Sequence, residues 1–287
     1  MKKTLMMLMA VLLPLLLLIS GCADKQEESC DFIFVSDSQS APGSLDYAPF
    51  AALLRQALEQ PADLLLHGGD IINDGADAAE LQAFAAACGD ELRALRWYIS
   101  LGNHDDISLA QRFELPENRY DDTRMLVYSA DCGAAHILVL DGNYLGVDDA
   151  ALREWVRADL AAADSASWKI VVSHYSLYPF TDDAKDIQRA ETQRELWESV
   201  LVEGGVDLFL SGHQHHYSRS EEQNGVVYMT VASGGKGGYT PPADTGGAAL
   251  LLSGCQCWQR YHLDGATLEM TAYDAAGNII DSLTLSK

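Results

Sequence analysis

Basic residues are scarce in this chain: 19 Lys and Arg face 42 Asp and Glu, for a formal net charge of -23. Non-specific binding to nucleic acid or to anionic membranes rests on basic surface, so the deficit argues against both and disfavours long polyanionic substrates. A small phosphate ester drawn in by metal charge is compatible with it. An apolar run long enough to span a bilayer is also missing. The longest, Leu5 to Ile19, falls short of the roughly 20 residues a span needs. No internal repeat or low-complexity tract occurs, and the aliphatic content suits one large core. The glycine-rich stretch Gly234 to Gly238 could bring backbone N–H groups to a phosphate, but it lacks the Lys-Ser/Thr and the helix of a P-loop. Cys255-x-Cys257 has no second thiolate pair or histidine cluster to complete a zinc site, which leaves disulfide formation or burial for it.

What is present begins with a signal. Lys2 and Lys3 precede the short apolar run, which ends in Ile19-Ser20-Gly21-Cys22. This ending resembles the lipobox of bacterial lipoproteins. The resemblance implies a signal peptide over 1–21 and a lipid on Cys22 that anchors the chain to a membrane outside the cytoplasm, periplasmic or at the cell surface. The other reading is an ordinary secretory signal with Cys22 incidental. Polar, aperiodic residues up to 30 read as a tether, and one domain is expected over 31–287. Cys30, Cys88, Cys132, Cys255 and Cys257 remain, an odd number. One or two disulfides fit an oxidising compartment, with the pairing open.

Along the domain, short apolar runs alternate with amphipathic stretches. Strands are expected at Asp31 to Val35, Ala62 to Leu66, Trp97 to Leu101, Met125 to Tyr128, His136 to Leu140, Ile170 to Val172 and Val206 to Leu210. Helices are expected at Tyr47 to Leu58, Ala78 to Leu95, Val147 to Ala162 and Ile187 to Leu201. From Val226 onward short strands follow one another, near Ala249, Trp258, Leu268 and Ile279. The class is α/β with a largely β C-terminal part.

Five of these strands end in side chains able to bind metal: Asp37, Asp70, Asn103, His174 and the pair His213 and His215. In α/β sheets the loops at the C-terminal strand ends converge on one crevice. Six donors of mixed oxygen and imidazole type are too many for one open catalytic metal, and they suit two ions bridged by a carboxylate. Such donors favour Fe, Mn or Zn. Gly212 is expected to let the backbone turn. On an extended backbone the two histidines that follow it would point the same way.

Asp37-x-Gln39, Gly69-Asp70, Gly102-Asn103-His104-Asp105, His174 and Gly212-His213-x-His215 together resemble the motif set of the calcineurin-like metallophosphoesterase superfamily. His-x-Tyr217-x-Arg219-Ser220 is more loosely similar to its purple acid phosphatase branch. The resemblance implies a two-sheet β-sandwich core flanked by helices, in four layers, and two divalent or trivalent transition-metal ions. Asp70 would bridge the ions. Asp37 and His215 would complete one side with Gln39 nearby, and Asn103, His174 and His213 would hold the other. A hydroxide between two cations is a strong nucleophile at neutral pH. His104 would donate a proton to the leaving oxygen, and Asp105 would orient or tune that imidazole. The implied activity is hydrolysis of a small phosphomonoester or phosphodiester.

Two departures bear on this reading. The superfamily usually has His where this chain has Gln39. The purple branch has Tyr where this chain has Asn73, which argues against an iron–tyrosinate centre. Gln39 therefore leaves open a non-catalytic surface lipoprotein that binds a phosphorylated or glycan ligand; a nuclease is a third possibility that the acidic balance disfavours. Among the other histidines, His67 and His136 read as core residues, with His67 near enough to support Asp70. His216 reads as surface or substrate rim, and His262 has no evident partner. Tyr175 and Tyr178 fit either a pocket wall or packing.

Overall fold

The computed structural model describes residues 29–120, 124–231, 234–235, 238–240 and 242–287. The expected signal segment, Cys22 and the tether up to residue 28 lie outside the described residues. In chain order the elements are β1 (Ser29–Val35), α1 (Ala48–Ala57), β2 (Leu64–His67), α2 (Ala78–Cys88), β3 (Arg96–Ile99), β4 (Tyr128–Cys132), β5 (Ala135–Val139), α3 (Ala150–Ala162) and β6 (Trp168–Val172). They continue with α4 (Ala184–Glu203), β7 (Leu208–Ser211), β8 (Tyr217–Ser220), β9 (Val227–Thr230), β10 (Ala248–Leu252), β11 (Cys257–Asp264), β12 (Thr267–Asp274) and β13 (Ile279–Ser286).

The strands form two sheets, ordered β13-β12-β11-β1-β2-β3 and β10-β8-β9-β7-β6-β5-β4. β1, β2 and β3 run parallel, as do β5, β6, β7 and β9. The C-terminal strands add antiparallel ladders to β1. Strand side chains alternate between faces, and in the second sheet both faces are buried. Ile170, Val172, Leu208 and Leu210 enter the core between the sheets. Val171 and Phe209 point the other way, against Leu152, Val156 and Trp197 of α3 and α4. On the far side α1 and α2 cover the first sheet through Phe50, Leu54 and Phe84. The expected four layers are therefore present.

Element boundaries differ where side-chain chemistry competes with hydrophobic period. The long helix expected to Leu95 ends as an α-helix at Cys88, because Gly89 takes a left-handed φ of 59°. α3 starts at Ala150 instead of Val147, since the Asp149 carboxylate caps it by accepting from Leu152 N. Met125 to Val127 are buried but lie before the strand, which runs from Tyr128 to Cys132. β8 was not expected, because its YSRS sequence has no apolar alternation. β1 begins at Ser29, two residues ahead of the expected boundary.

Cys30 in β1 and Cys132 at the end of β4 form a disulfide across 102 residues, tying one sheet to the other. For a loop of that size the chain-entropy contribution is about 4–5 kcal/mol. Among the described residues no helix is long and apolar enough to cross a membrane.

Candidate metal centre

The five expected strand ends meet at one edge of the sandwich. Asp37, Asp70 and Asn103 follow β1, β2 and β3 of the first sheet, while His174 and the His213/His215 turn follow β6 and β7 of the second. Backbone bonds lock these loops together. Asp37 N donates to Gly69 O at 3.0 Å, Gln39 N to Asp70 O at 3.2 Å, and Gly212 N to His174 O at 3.0 Å. One donor atom each from Asp37, Asp70 and His174 lies within 4.8 Å of the others, and all three side chains are buried.

Asp37, Asp70, His213 and His215 all adopt positive φ, between 46° and 69°. For residues other than glycine this conformation costs on the order of 1–3 kcal/mol each, and such strain concentrates at functional sites. The extended backbone expected for His213-x-His215 is thus replaced by a bend, and the two rings part. His215 Nε2 stands 3.2 Å from Asp37 Oδ1. His213 Nε2 donates to the Asp186 carboxylate, at 3.1 Å from each oxygen. Gly212 serves space instead of turning. Its φ is not positive, but a Cβ there would lie 1.9 Å from Ser36 Oγ and 2.4 Å from Asp37 Oδ2.

Asp70 lies between the two groups of donors. Gln39 Nε2 donates to its Oδ2 at 3.0 Å, and His104 N to its Oδ1 at 2.9 Å. His174 Nε2 is 3.4 Å from Oδ2. His174 Nδ1 donates to Gly68 O at 2.9 Å, which leaves Nε2 facing the site. Burial works against the charged His174 ring, but the Asp70 and Asp37 carboxylates outweigh it and push the imidazole up to about 9. Burial likewise opposes ionisation of Asp37 and Asp70; His215 holds Asp37 below the usual carboxylate range, and His174 does the same for Asp70.

The bonds of Asp105 correct its expected role. Its carboxylate accepts from Asp70 N (2.6 Å), Ile71 N (2.9 Å) and Gly102 N (2.9 Å), so it fastens the Asp70 loop to the Asn103 loop. The His104 ring is held instead by Asn73, whose carbonyl accepts from Nδ1 at 2.7 Å. Burial, and then the charge of Asp70, push Asp105 up to about 7.

His216 is fully buried, against the surface position expected for it, and burial pushes it down to about 4. His262 does have a partner, Asp31, at 3.1 Å. His67 is a core residue that supports the site: Nε2 meets Ser38 Oγ and Nδ1 accepts from Gly69 N. His136 bridges Asp131 and Asp159 away from it. Tyr175 donates to Asn103 Oδ1 at 3.1 Å and so belongs to the site, whereas Tyr178 packs on Tyr228 and bonds Glu198. The N–H groups of Gly234 and Gly235 donate to Ser36 O and Asp37 O, so in these two glycines they brace β1's end.

Three contributors carried no sequence signal. Asp186 reaches His213 from the first turn of α4, where the Asp183 cap accepts from Asp186 N. Arg189, one turn on, pairs with Asp186 and lies over the Tyr175 ring at 4.0 Å. Tyr239 stacks on His215 with ring centroids 4.5 Å apart.

The residues fit a metal pair by their own chemistry. The donors are carboxylate, amide and imidazole, and Gln39 Oε1 is a buried oxygen beside Asp70 with no hydrogen-bond partner among the described residues. A buried amide oxygen left so is costly unless a cation takes it.

Residues 31–217 match the family model of calcineurin-like phosphoesterases. The chain is 27% identical to purple acid phosphatase 22 of Arabidopsis thaliana over 206 residues, which is 64% of this chain and 47% of that protein. Its fold is similar to purple acid phosphatase PPD1 from yellow lupin seeds (TM-score 0.74, 17% identity, 91% of this chain and 54% of that one). A dimetal phosphatase from Danio rerio is also similar (TM-score 0.67, 18% identity, 90% and 98%). The chain spans about half the length, or less, of the plant phosphatases it matches. With the motif set gathered at one edge of a four-layer sandwich and the match covering most of the chain, this protein belongs to the calcineurin-like phosphoesterase family.

Proposed function

We propose that the protein is a dinuclear metal-dependent phosphohydrolase, acting outside the cytoplasm on a small phosphomonoester or phosphodiester. The observation that carries this is the cluster of Asp37, Asp70 and His174 donors within 4.8 Å, with Gln39 Oε1 beside it, buried and without a hydrogen-bond partner among the described residues. Asp70 would be shared by two ions of Fe, Mn or Zn. Asp37, Gln39 and His215 would hold one, and Asn103, His174 and His213 the other. The chemistry such ions supply when bound is Lewis acidity, which polarises phosphoryl oxygens and lets water attack at neutral pH.

The remaining work falls to this chain's own groups. His104 Nδ1 is committed to Asn73 O, so Nε2 is the atom that carries a proton to the leaving oxygen. Tyr175 fixes the Asn103 amide, and Asp105 fixes the backbone on which Asp70 and Asn103 stand. The acidic chain disfavours long polyanions and leaves small esters as substrates. A lipid anchor at Cys22 is supported by the apolar run and the Ser-Gly-Cys that ends it, and the Cys30–Cys132 disulfide supports an oxidising compartment.

The test is metal reconstitution of the purified protein with Mn, Fe or Zn, counting bound ions while assaying generic monoesters and diesters. Fewer than one ion per chain and no hydrolysis would sink the proposal. A second reading, a non-catalytic receptor for a phosphorylated or glycan ligand, is favoured by one contact: Gln39 Nε2 already occupies Asp70 Oδ2. Gln39→His decides between the two. A rise in metal-dependent turnover marks a site that lacks one strong donor, and no turnover in either protein favours the receptor.

A further inference from the structure

The rim of the candidate metal centre carries an aromatic ring that the proposed chemistry leaves unused. Tyr239 lies between β9 and β10, and two contacts fix it against His215. Its backbone N–H donates to His215 O at 3.0 Å, and its ring stacks on the imidazole with centroids 4.5 Å apart and planes 5° from parallel. The close approach depends on Gly238, where a Cβ would stand 2.8 Å from the same carbonyl oxygen. Further along, Ala243 N donates to Asp182 Oδ2 at 3.0 Å, just ahead of the first turn of α4 that carries Asp186. This stretch therefore borders both His215 and the turn that holds His213.

A parallel stack covers one face of a ring. Tyr239 is nevertheless 50% exposed, and among the described residues no second ring lies against it. The face turned away from His215 is thus open to solvent. Tyr175, the other tyrosine beside the donors, is in the opposite condition. Its ring meets His174 and His213 at 4.9 and 4.5 Å, Arg189 lies over its face at 4.0 Å, and it is buried. Tyr175 has no face left for a ligand, whereas Tyr239 has one. A single exposed hydrophobic residue on a surface needs no explanation, but a ring fixed by two contacts to a candidate ligand of the site is not a scattered one.

We propose, resting on the phosphohydrolase reading of this site, that Tyr239 is a specificity-determining residue: its open face stacks on a planar aromatic group of the substrate. The preferred substrates are then phosphate esters that carry such a group, ahead of alkyl or polyol esters of the same size. An aromatic face attracts another aromatic ring by offset stacking beyond what burial of equal area supplies, and a saturated ring lacks that extra attraction. Stacking on a tyrosine also tolerates different rings, because every one presents a π face. The aromatic group can be joined to phosphorus directly or through a spacer, and the two arms of the experiment separate these cases.

The experiment is calorimetric titration of the purified full chain, reconstituted with Mn, with phosphonates whose P–C bond resists hydrolysis. One pair is phenylphosphonate and cyclohexylphosphonate; the other is 2-phenylethylphosphonate and 2-cyclohexylethylphosphonate. The aromatic member of at least one pair should bind about 2- to 10-fold more tightly than its saturated partner. The pair that shows the preference identifies how the ring is joined. The preference should vanish in Tyr239→Leu and survive in Tyr239→Phe, with bound Mn counted in each so that metal lost with the His215 stack is not mistaken for lost stacking. In hydrolysis of 2-phenylethyl and 2-cyclohexylethyl phosphate, whose leaving groups are alike, the same ratio should appear in KM with kcat little changed.

Equal affinity of the native protein within both pairs overturns the proposal, as does binding of none of the four phosphonates or a preference that Tyr239→Leu retains. The native titrations alone give a result even where a variant fails to fold. Preferential binding without hydrolysis supports the stacking face and removes the phosphohydrolase reading, and hydrolysis without the preference does the reverse.

Discussion

The two sides of the candidate metal centre are built differently. Asp37, Gln39 and His215 are buried to within 1% of full exclusion from solvent, and they are held by backbone and by one another: His213 N and Ser36 Oγ donate to Asp37, and His215 faces it. On the other side His174 is equally buried, but Asn103 is exposed and His104 and His213 are partly so, and Asn103 and His213 depend on side chains brought from elsewhere. Tyr175 holds Asn103, Asp186 holds His213, and Arg189 ties Asp186 to Tyr175. The buried side is a framework whose geometry is set by close backbone approach. The open side is where a substrate can enter, and its precision rests on α4. A carboxylate that fixes the far nitrogen of a ligand imidazole sets the tautomer presented to a metal.

Substitutions can break this contrast in order of expected size. The largest effect belongs to the open side: His104→Ala should lower kcat by about 100-fold or more, the loss expected for a general acid. Bound metal should not change, because the contact to Asp70 comes from His104's backbone N–H, which alanine keeps. Equal turnover in the variant would remove His104 from the chemistry. Next is Asp186→Ala, which frees the His213 ring. Metal affinity on that side should weaken by roughly 10–100-fold, seen by titration as one weakened site beside one unchanged. Equal weakening of both would erase the distinction between the sides.

On the buried side Gly212→Ala should cost about 1–3 kcal/mol of stability in urea unfolding, since the new Cβ collides with Ser36 and Asp37 and neither can move far. A neutral result would show that the framework yields more than its burial suggests. The smallest effect lies at the opposite end of β5, where His136 bridges Asp131 and Asp159. Burial lowers its pKa, but hydrogen bonds to Asp159 and Asp131 outweigh burial and hold the imidazole above its ordinary value. A raised folded value means that the charged ring's contribution is complete below the unfolded value of 6.5 and is lost as pH rises through the folded one. His136→Gln should flatten that decline in stability on the alkaline side, measured by unfolding at a series of pH values.

Much of the candidate site was legible because each proposed ligand follows a strand that is itself easy to read. The apolar runs ending at Val35, Leu66, Leu101, Val172 and Leu210 carry β-branched and aliphatic residues, and polar side chains at their ends have few structural reasons to be there. Legibility failed where chemistry came from a helix. Asp186 sits among Asp182, Asp183 and Lys185, in a stretch that reads as an ordinary acidic first turn, and only the packing of α4 against the second sheet turns it toward His213. It failed again at Asp105, whose place beside His104 in sequence suggested a partnership that the backbone geometry gives to Asp70, Ile71 and Gly102. His216 was misread for a related reason: an alternation rule that holds on a strand does not hold through a bend.

By itself the sequence determined the α/β class, the order of the strands that carry the candidate ligands, and the departure at Gln39. These are properties of hydrophobic period and of residue chemistry, which the chain carries wherever it folds. Tertiary structure alone decided how the donors divide their contacts. It paired Cys30 with Cys132, sent His213 to Asp186 and His215 to Asp37, and left Gln39 Oε1 buried next to Asp70 without a partner among the described residues. Each of these outcomes depends on groups distant in the chain meeting where two sheets converge, and residue order does not encode the distance between them.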